Sequence, residues 1–255
     1  MAPSDTLQRP LFESVVLRDL RGARRAVGLI WTTARLIVEG RRAPLEAAAL
    51  AQRAHRTARE LLDLHAVDVR CYGPPPRTPA VVVTNHVSYL DPLVIAALTP
   101  CIAIAKGEVR DWPLLGSGLR ALGVVFVQRG DVRSGAMALL RAWRALDGGT
   151  TVLNFPEGTT SDGRDVAPFR RGIFGLARLA GFPVVPAHVS YDHDGAPWYG
   201  GQTLAPHYWR LSRSPSVRAS VRFGAPISVL ASDDPSAVAA RTREVVAALG
   251  ARRED

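Results

Sequence analysis

The chain has 255 residues, 47% of them hydrophobic, and a formal net charge of +9; it can bury a full core and is neither disordered nor fibrous in composition. Its two cysteines, Cys71 and Cys101, stand in no metal-like spacing and build no disulfide framework, a usage that fits a reducing cytoplasm. No basic segment followed by an apolar run is visible, and no stretch reaches the ~18–20 apolar residues that a bilayer crossing needs, so neither a signal peptide nor a spanning helix is expected.

Residues 11 to 38 read as an amphipathic helix. Phe12, Val16, Leu20, Ala23, Val27, Ile30 and Ile37 recur at three-, four- or seven-residue steps, with Arg18, Arg21, Arg24 and Arg25 at other positions. A loop over Gly40 to Pro44 leads into a second helix that ends near Leu64. Between Arg9 and Arg59 there are eleven arginines against four acids. That charge fits an anionic membrane surface, or a helical cap packed on the next domain with its arginines solvated, or both together.

The run Gly73-Pro74-Pro75-Pro76 reads as a linker. It divides a helical region, 1–72, from a domain over 73–255. In that domain strands are predicted at 80–84, 101–105, 123–127, 151–155, 183–190 and 217–223, and helices at 92–98, 112–121, 132–147, 170–180 and 235–249. The alternation predicts an α/β fold with a mostly parallel sheet flanked by helices, preceded by the N-terminal amphipathic helix pair.

The first predicted strand of the domain runs straight into Asn85-His86-Val87-Ser88-Tyr89-Leu90-Asp91, and a helix follows from Pro92. The ends of strands are where open α/β sheets place their chemistry. A loop there can aim Asp91 back at His86, and a carboxylate on one ring nitrogen leaves the other as a base near neutral pH. The competing reading is a plain helix start, with Asp91 as N-cap and Pro92 at the first helical position.

Lys106 is the only lysine among the 32 basic residues, which marks a place for a compact ammonium or a chance survivor of arginine usage. Arg129 follows another strand, where it meets a phosphate or is an ordinary surface arginine. Asn154-Phe155-Pro156-Glu157-Gly158-Thr159-Thr160-Ser161 ends a third strand with a carboxylate, a glycine and three hydroxyls, a polar head-group cradle or a simple turn. Phe169-Arg170-Arg171-Gly172 opens a helix whose N-terminus can receive an anion.

Taken in order, N-H-x-S-x-x-D, K-x-E, G-x-x-F-x-x-R, F-P-E-G-T-x-S, F-R-x-G and V-P resemble the blocks of glycerolipid acyltransferases of the lysophosphatidic acid (PlsC-like) type. The resemblance covers about residues 79 to 190. It implies acyl transfer from acyl-CoA or an acyl-carrier protein to the hydroxyl of a lysophospholipid, 1-acyl-glycerol-3-phosphate first. By the same resemblance His86 is the general base and Asp91 its orienting partner. Arg129, Glu157, Gly158 and Thr159 shape the acceptor site with help from Lys106, Asn85 and Ser88 support the catalytic loop, and Arg170 is a further supporting residue. A thioester is already activated, so the chemistry asks for no metal, cofactor or covalent nucleophile. The implied setting is the cytoplasmic face of a membrane, held peripherally on an anionic surface.

Two positions depart from the family pattern. Thr160 stands where many lysophosphatidate-specific members carry arginine, and His188 where apolar residues are common. The first keeps a lyso-ornithine lipid or another lysophospholipid open as acceptor. A non-catalytic basic module is the reading from another class; its aromatics do not interleave with arginines as nucleic-acid stacking would require, so no nucleic acid partner is expected. A Ser-His-Asp hydrolase lacks the G-x-S-x-G elbow.

Overall fold

A computed structural model describes residues 8–41 and 45–252, with only the helical backbone described over 8–14. The side chain of Phe12 and loop residues 42–44, both read from sequence above, lie outside the described residues. Valine-rich runs build the sheet. Strands β1 (Val67–Tyr72), β2 (Val81–Thr84), β3 (Cys101–Lys106), β4 (Val125–Val127), β5 (Thr151–Asn154), β6 (Val184–Tyr191) and β7 (Val217–Phe223) lie in the order β1-β7-β6-β2-β5-β3-β4. Five of them, from β6 to β4, are mutually parallel; β7 is antiparallel to β6, and β1 follows the direction of β7.

The helices are α1 (Gln8–Gly40), α2 (Ala47–Leu64), α3 (Asp91–Leu98), α4 (Leu115–Ala121), α5 (Val132–Asp147), α6 (Gly172–Ala180), α7 (Leu204–Ser212) and α8 (Pro235–Gly250), with a 3-10 turn at Gly107–Asp111. Alternate strand residues bury into opposite layers. Val82, Leu153 and Val185 pack with Ala58 and Leu62 of α2 and with Val94 and Ile95 of α3. Val81, Val83, Val152 and Val184 pack with Ala142 of α5, Phe174 of α6 and Val238 of α8. Both faces of β2 are therefore covered, which is why Val81–Thr84 has no polar alternation.

The domain division at residue 72 is corrected. Val67–Tyr72 pairs in register with Val217–Arg222, so it is an edge strand of the sheet and the α/β fold begins there. Gly73, in the left-handed region at φ +76°, and the prolines after it connect β1 to β2 within that fold. The alternation Val67-Asp68-Val69-Arg70-Cys71 was the available sequence signal. Helix α7 also went unread; its spacing of Leu204, His207 and Leu211 is helical.

Helix α1 inverts the simplest reading of its pattern. Val16, Leu20, Val27, Ile30, Trp31 and Val38 face outward, 40 to 72% exposed. The packed face holds Gly22, which sits against Trp209 and Arg213, and Arg25, Thr33 and Leu36, all three buried. Arg25 anchors the helix by donating to the carbonyls of Leu64, Ser212, Ser214 and Pro215 at 2.6 to 3.3 Å. Burial lowers its pKa, and the neighbouring Arg21 and Arg24 push the same way. Among the described residues no helix is long and apolar enough to cross a membrane.

Candidate active site

Asn85 ends β2 by continuing its ladder with a side chain. Its Nδ2 donates to the Val189 carbonyl at 2.9 Å, and its Oδ1 accepts from the Val189 N–H at 2.8 Å. The backbone is thereby freed to leave the sheet, and His86 projects from the loop. Asp91, 0% exposed, is the first residue of α3 rather than its cap, and its carboxylate turns backward instead of toward the helix. Oδ2 accepts from His86 Nδ1 at 2.7 Å, from the Val87 N–H at 2.7 Å and from the Ser88 N–H at 2.9 Å. Oδ1 accepts from the Tyr191 hydroxyl at 2.7 Å. The plain helix-start reading is excluded by that geometry. A hydrogen on Nδ1 directed at a carboxylate leaves Nε2 with its lone pair, the tautomer of a general base.

His86 is further fixed by the turn after β5. Glu157 Oε1 accepts from the His86 N–H at 2.7 Å, and the Ser161 N–H donates to the His86 carbonyl at 2.9 Å. Glu157 Oε2 accepts from the Ala167 N–H at 3.0 Å. Desolvation raises the Glu157 pKa, against the pull of those two backbone N–H groups. Glu157 was expected at the acceptor's side; the structure instead turns its carboxylate to the backbone, where it positions the His86 loop. Phe155 stacks on the imidazole with centroids 4.1 Å apart. Ser88 is fully buried and its Oγ accepts from the Leu90 N–H, so it supports the loop and does not present a nucleophile.

His86 opens into a cavity of about 980 Å³ whose lining is mostly apolar. The cavity is lined by both ends of β3, Lys106 and Cys101; six strand residues rise roughly 16 Å. Lys106, Arg129, Gly158, Thr159, Thr160 and Arg170 all line it as well. Lys106 Nζ lies 2.8 Å from Glu108 Oε1, and the hydrogen bond from Lys106 lowers the Glu108 pKa, with Arg129 adding to the effect. Gly158 takes φ +75°, and a Cβ there would stand 3.0 Å from Arg170 Nε, so the arginine lies directly over the turn.

The structure thus brings His86, Asp91, Asn85, Ser88 and Glu157 into one braced loop, and Lys106, Arg129, Gly158, Thr159 and Arg170 to the cavity it faces. Tyr191 and Phe155 were missed. Tyr191 lies 100 residues from Asp91, with no spacing signal to join them. Phe155 was visible only as part of its motif. His188 is no site residue: it is buried against Gly250 at the end of α8. Burial lowers its pKa to about 4, and Arg222 adds to the shift.

Comparison with known proteins identifies the family. The model of the Acyltransferase family matches residues 67–190. The lyso-ornithine lipid O-acyltransferase of Pseudomonas aeruginosa is 36% identical over 167 residues, 63% of this chain and 64% of that protein, so the match spans just under two thirds of its length. The 1-acyl-sn-glycerol-3-phosphate acyltransferase of Neisseria gonorrhoeae is 31% identical over 189 residues, 71% of this chain and 74% of that one. The crystal structure of PlsC from Thermotoga maritima superposes with a TM-score of 0.64 at 22% identity, covering 96% of this chain and 99% of that one, a likeness of fold. With the braced histidine–aspartate loop at the strand ends and relatives of this coverage, the chain belongs to the acyltransferase family, as a PlsC-like glycerolipid acyltransferase.

Proposed function

We propose that this protein moves a fatty acyl group from a thioester, acyl-CoA or acyl-carrier protein, to the free hydroxyl of a lysophospholipid, 1-acyl-glycerol-3-phosphate giving phosphatidic acid. One observation carries the reading: a base-competent imidazole, locked on Asp91, opens onto an apolar cavity that runs the length of β3. Such a cavity takes an alkyl chain, and the histidine at its polar rim meets the chain's carbonyl end. His86 Nε2 accepts the proton of the acceptor hydroxyl as its oxygen forms a bond to the thioester carbon. The tetrahedral intermediate collapses with cleavage of the carbon–sulfur bond, and the imidazolium returns the proton to the leaving thiolate. Asp91 stabilises the imidazolium between the two proton transfers. Arg129 and Arg170 at the rim supply guanidinium groups for the acceptor phosphate.

A second acceptor, a lyso-ornithine lipid, is favoured by one feature of the rim. Thr160 supplies no charge, and Glu108 offsets Lys106, so a carboxylate stands where a head-group ammonium can reach it. The outward stripe of α1, apolar at Val16, Leu20, Val27, Ile30 and Trp31 and accompanied by Arg18, Arg24 and Arg35, supports peripheral attachment to an anionic membrane surface on the cytoplasmic side.

The test is a panel of lysolipids presented with acyl-CoA, read by thiol release and by the mass of the lipid product. Acylated lysophosphatidic acid is expected, and His86→Ala should abolish it while the protein still melts cooperatively as a folded domain. Free fatty acid without an acylated acceptor would replace acyl transfer by hydrolysis. Unchanged turnover in His86→Ala would remove the histidine as base.

A further inference from the structure

An apolar groove runs between α5 and α6, on the layer of the sheet opposite α2 and α3. Its volume is about 370 Å³, and it is walled by Leu139, Leu140, Trp143, Leu176 and Leu179 with Gly172 and Gly175 between them. Leu179 is 80% exposed, and no atom stands within 4 Å of where a Cβ on Gly172 would be. Leu139 and Gly172 line the active-site cavity too, so the groove abuts the cavity that His86 faces.

Exposed arginines accompany it. Arg144 follows Leu140 by one helical turn, Arg133 and Arg141 lie on the same helix, and Arg171 immediately precedes Gly172. Some arginines elsewhere are paired, as Arg35 is with Glu60, Arg213 with Asp19 and Arg218 with Asp192. Among the described residues Arg133, Arg141, Arg144 and Arg171 form no ion pair. The acid at the start of α5, Asp131, is committed to capping the helix through the Arg133 and Ser134 N–H groups.

We propose that this groove docks an acidic carrier protein that delivers the acyl thioester to His86. The inference rests on the acyl-transfer reading above and names the partner on the donor side. An apolar seat with unpaired guanidinium groups around it matches a protein whose docking surface mixes carboxylates with exposed apolar side chains. A free nucleotide donor has no use for Leu179 and Trp143. The apolar surface of α1 belongs to a helix packed on α2, α4 and α7, apart from this groove.

The experiment uses the full chain, one lysolipid acceptor and one fatty acyl group presented either on CoA or on an acidic acyl-carrier protein. Leu179→Glu and Arg144→Glu, both at exposed positions away from His86, are compared with the unsubstituted enzyme. Each should raise KM for the carrier-linked donor about tenfold, leaving kcat and the KM for acyl-CoA within roughly twofold. An equal loss with both donors, or no loss with either, overturns the proposal. Loss of binding to anionic phospholipid vesicles in Leu179→Glu assigns the groove to the bilayer and overturns it as well. An enzyme that uses acyl-CoA but never the carrier-linked donor retains its acyl-transfer function and refutes the docking surface. One that acylates no lysolipid from either donor refutes both.

Discussion

Replacing Asp91 by asparagine separates what its charge does from what its shape does. Three donors converge on Oδ2, from His86, Val87 and Ser88, and one hydroxyl, of Tyr191, reaches Oδ1. In Asp91→Asn the amide oxygen belongs on the side of the three donors, and the amide nitrogen then faces the Tyr191 oxygen as a donor. The fold and the His86 tautomer are therefore retained, with a stability change of about 1 kcal/mol. The charge opposite the imidazolium is lost. At about 4 Å between charge centres and an effective dielectric constant of about 20, that attraction is about 4 kcal/mol. The remaining neutral hydrogen bond and the partial exposure of His86 reduce the net loss to about 2–3 kcal/mol, or roughly 30- to 150-fold in kcat. Thiol release at saturating donor and acceptor, with thermal melts alongside, measures both quantities. A kcat within about threefold of the unsubstituted enzyme would refute a stabilised imidazolium on the reaction path. A large drop in melting temperature would refute the assigned orientation of the amide.

Tyr191→Phe leaves Asp91 Oδ1 without its hydroxyl donor in a fully buried site, and should cost about 1–3 kcal/mol of stability by denaturant titration. His188 is neutral when folded, with a pKa of about 4 against about 6.5 unfolded, so the unfolded chain alone gains a proton between those values. Stability should therefore fall by about 3 kcal/mol from pH 6.5 to pH 4, and His188→Leu should flatten that part of the profile; an unchanged slope in the variant would assign the dependence elsewhere. Ala103 lines the cavity from β3, and Ala103→Phe should reduce turnover of long-chain donors about tenfold while short-chain donors stay within roughly twofold. A uniform loss across chain lengths would mean that the acyl chain does not pass this residue.

Periodicity and turn chemistry carried most of the fold. The apolar runs at Val81–Thr84 and Val184–Tyr191, with helical spacing between strands, were enough for a largely parallel sheet. The motif blocks were visible as local patterns, and those of His86, Lys106, Arg129 and Glu157, each at the end of a strand, converge once the strands are parallel. Three features stayed hidden. The pattern on α1 shows an apolar stripe, but a stripe has the same period whether it faces the core or the solvent. Gly22, Gly28 and Arg25 decided which side packs, because small residues let the helix approach Trp209 and Leu64 and the guanidinium found four backbone carbonyls there.

Glu157 belongs to the same lesson. Its place in the motif marks it as functional, while its bond to the His86 N–H requires the adjacency of β2 and β5. Tyr191 reaches Asp91 only because β6 lies on the other side of β2. By itself the sequence determined most of the elements, though not β1 or α7, together with the order of the motifs and the residue types available for acyl transfer. The tertiary structure decided which of them touch. Local propensity acts over a few residues, whereas the bonds that fix His86 and Asp91 join segments about 70 to 100 residues apart, brought together by sheet order alone.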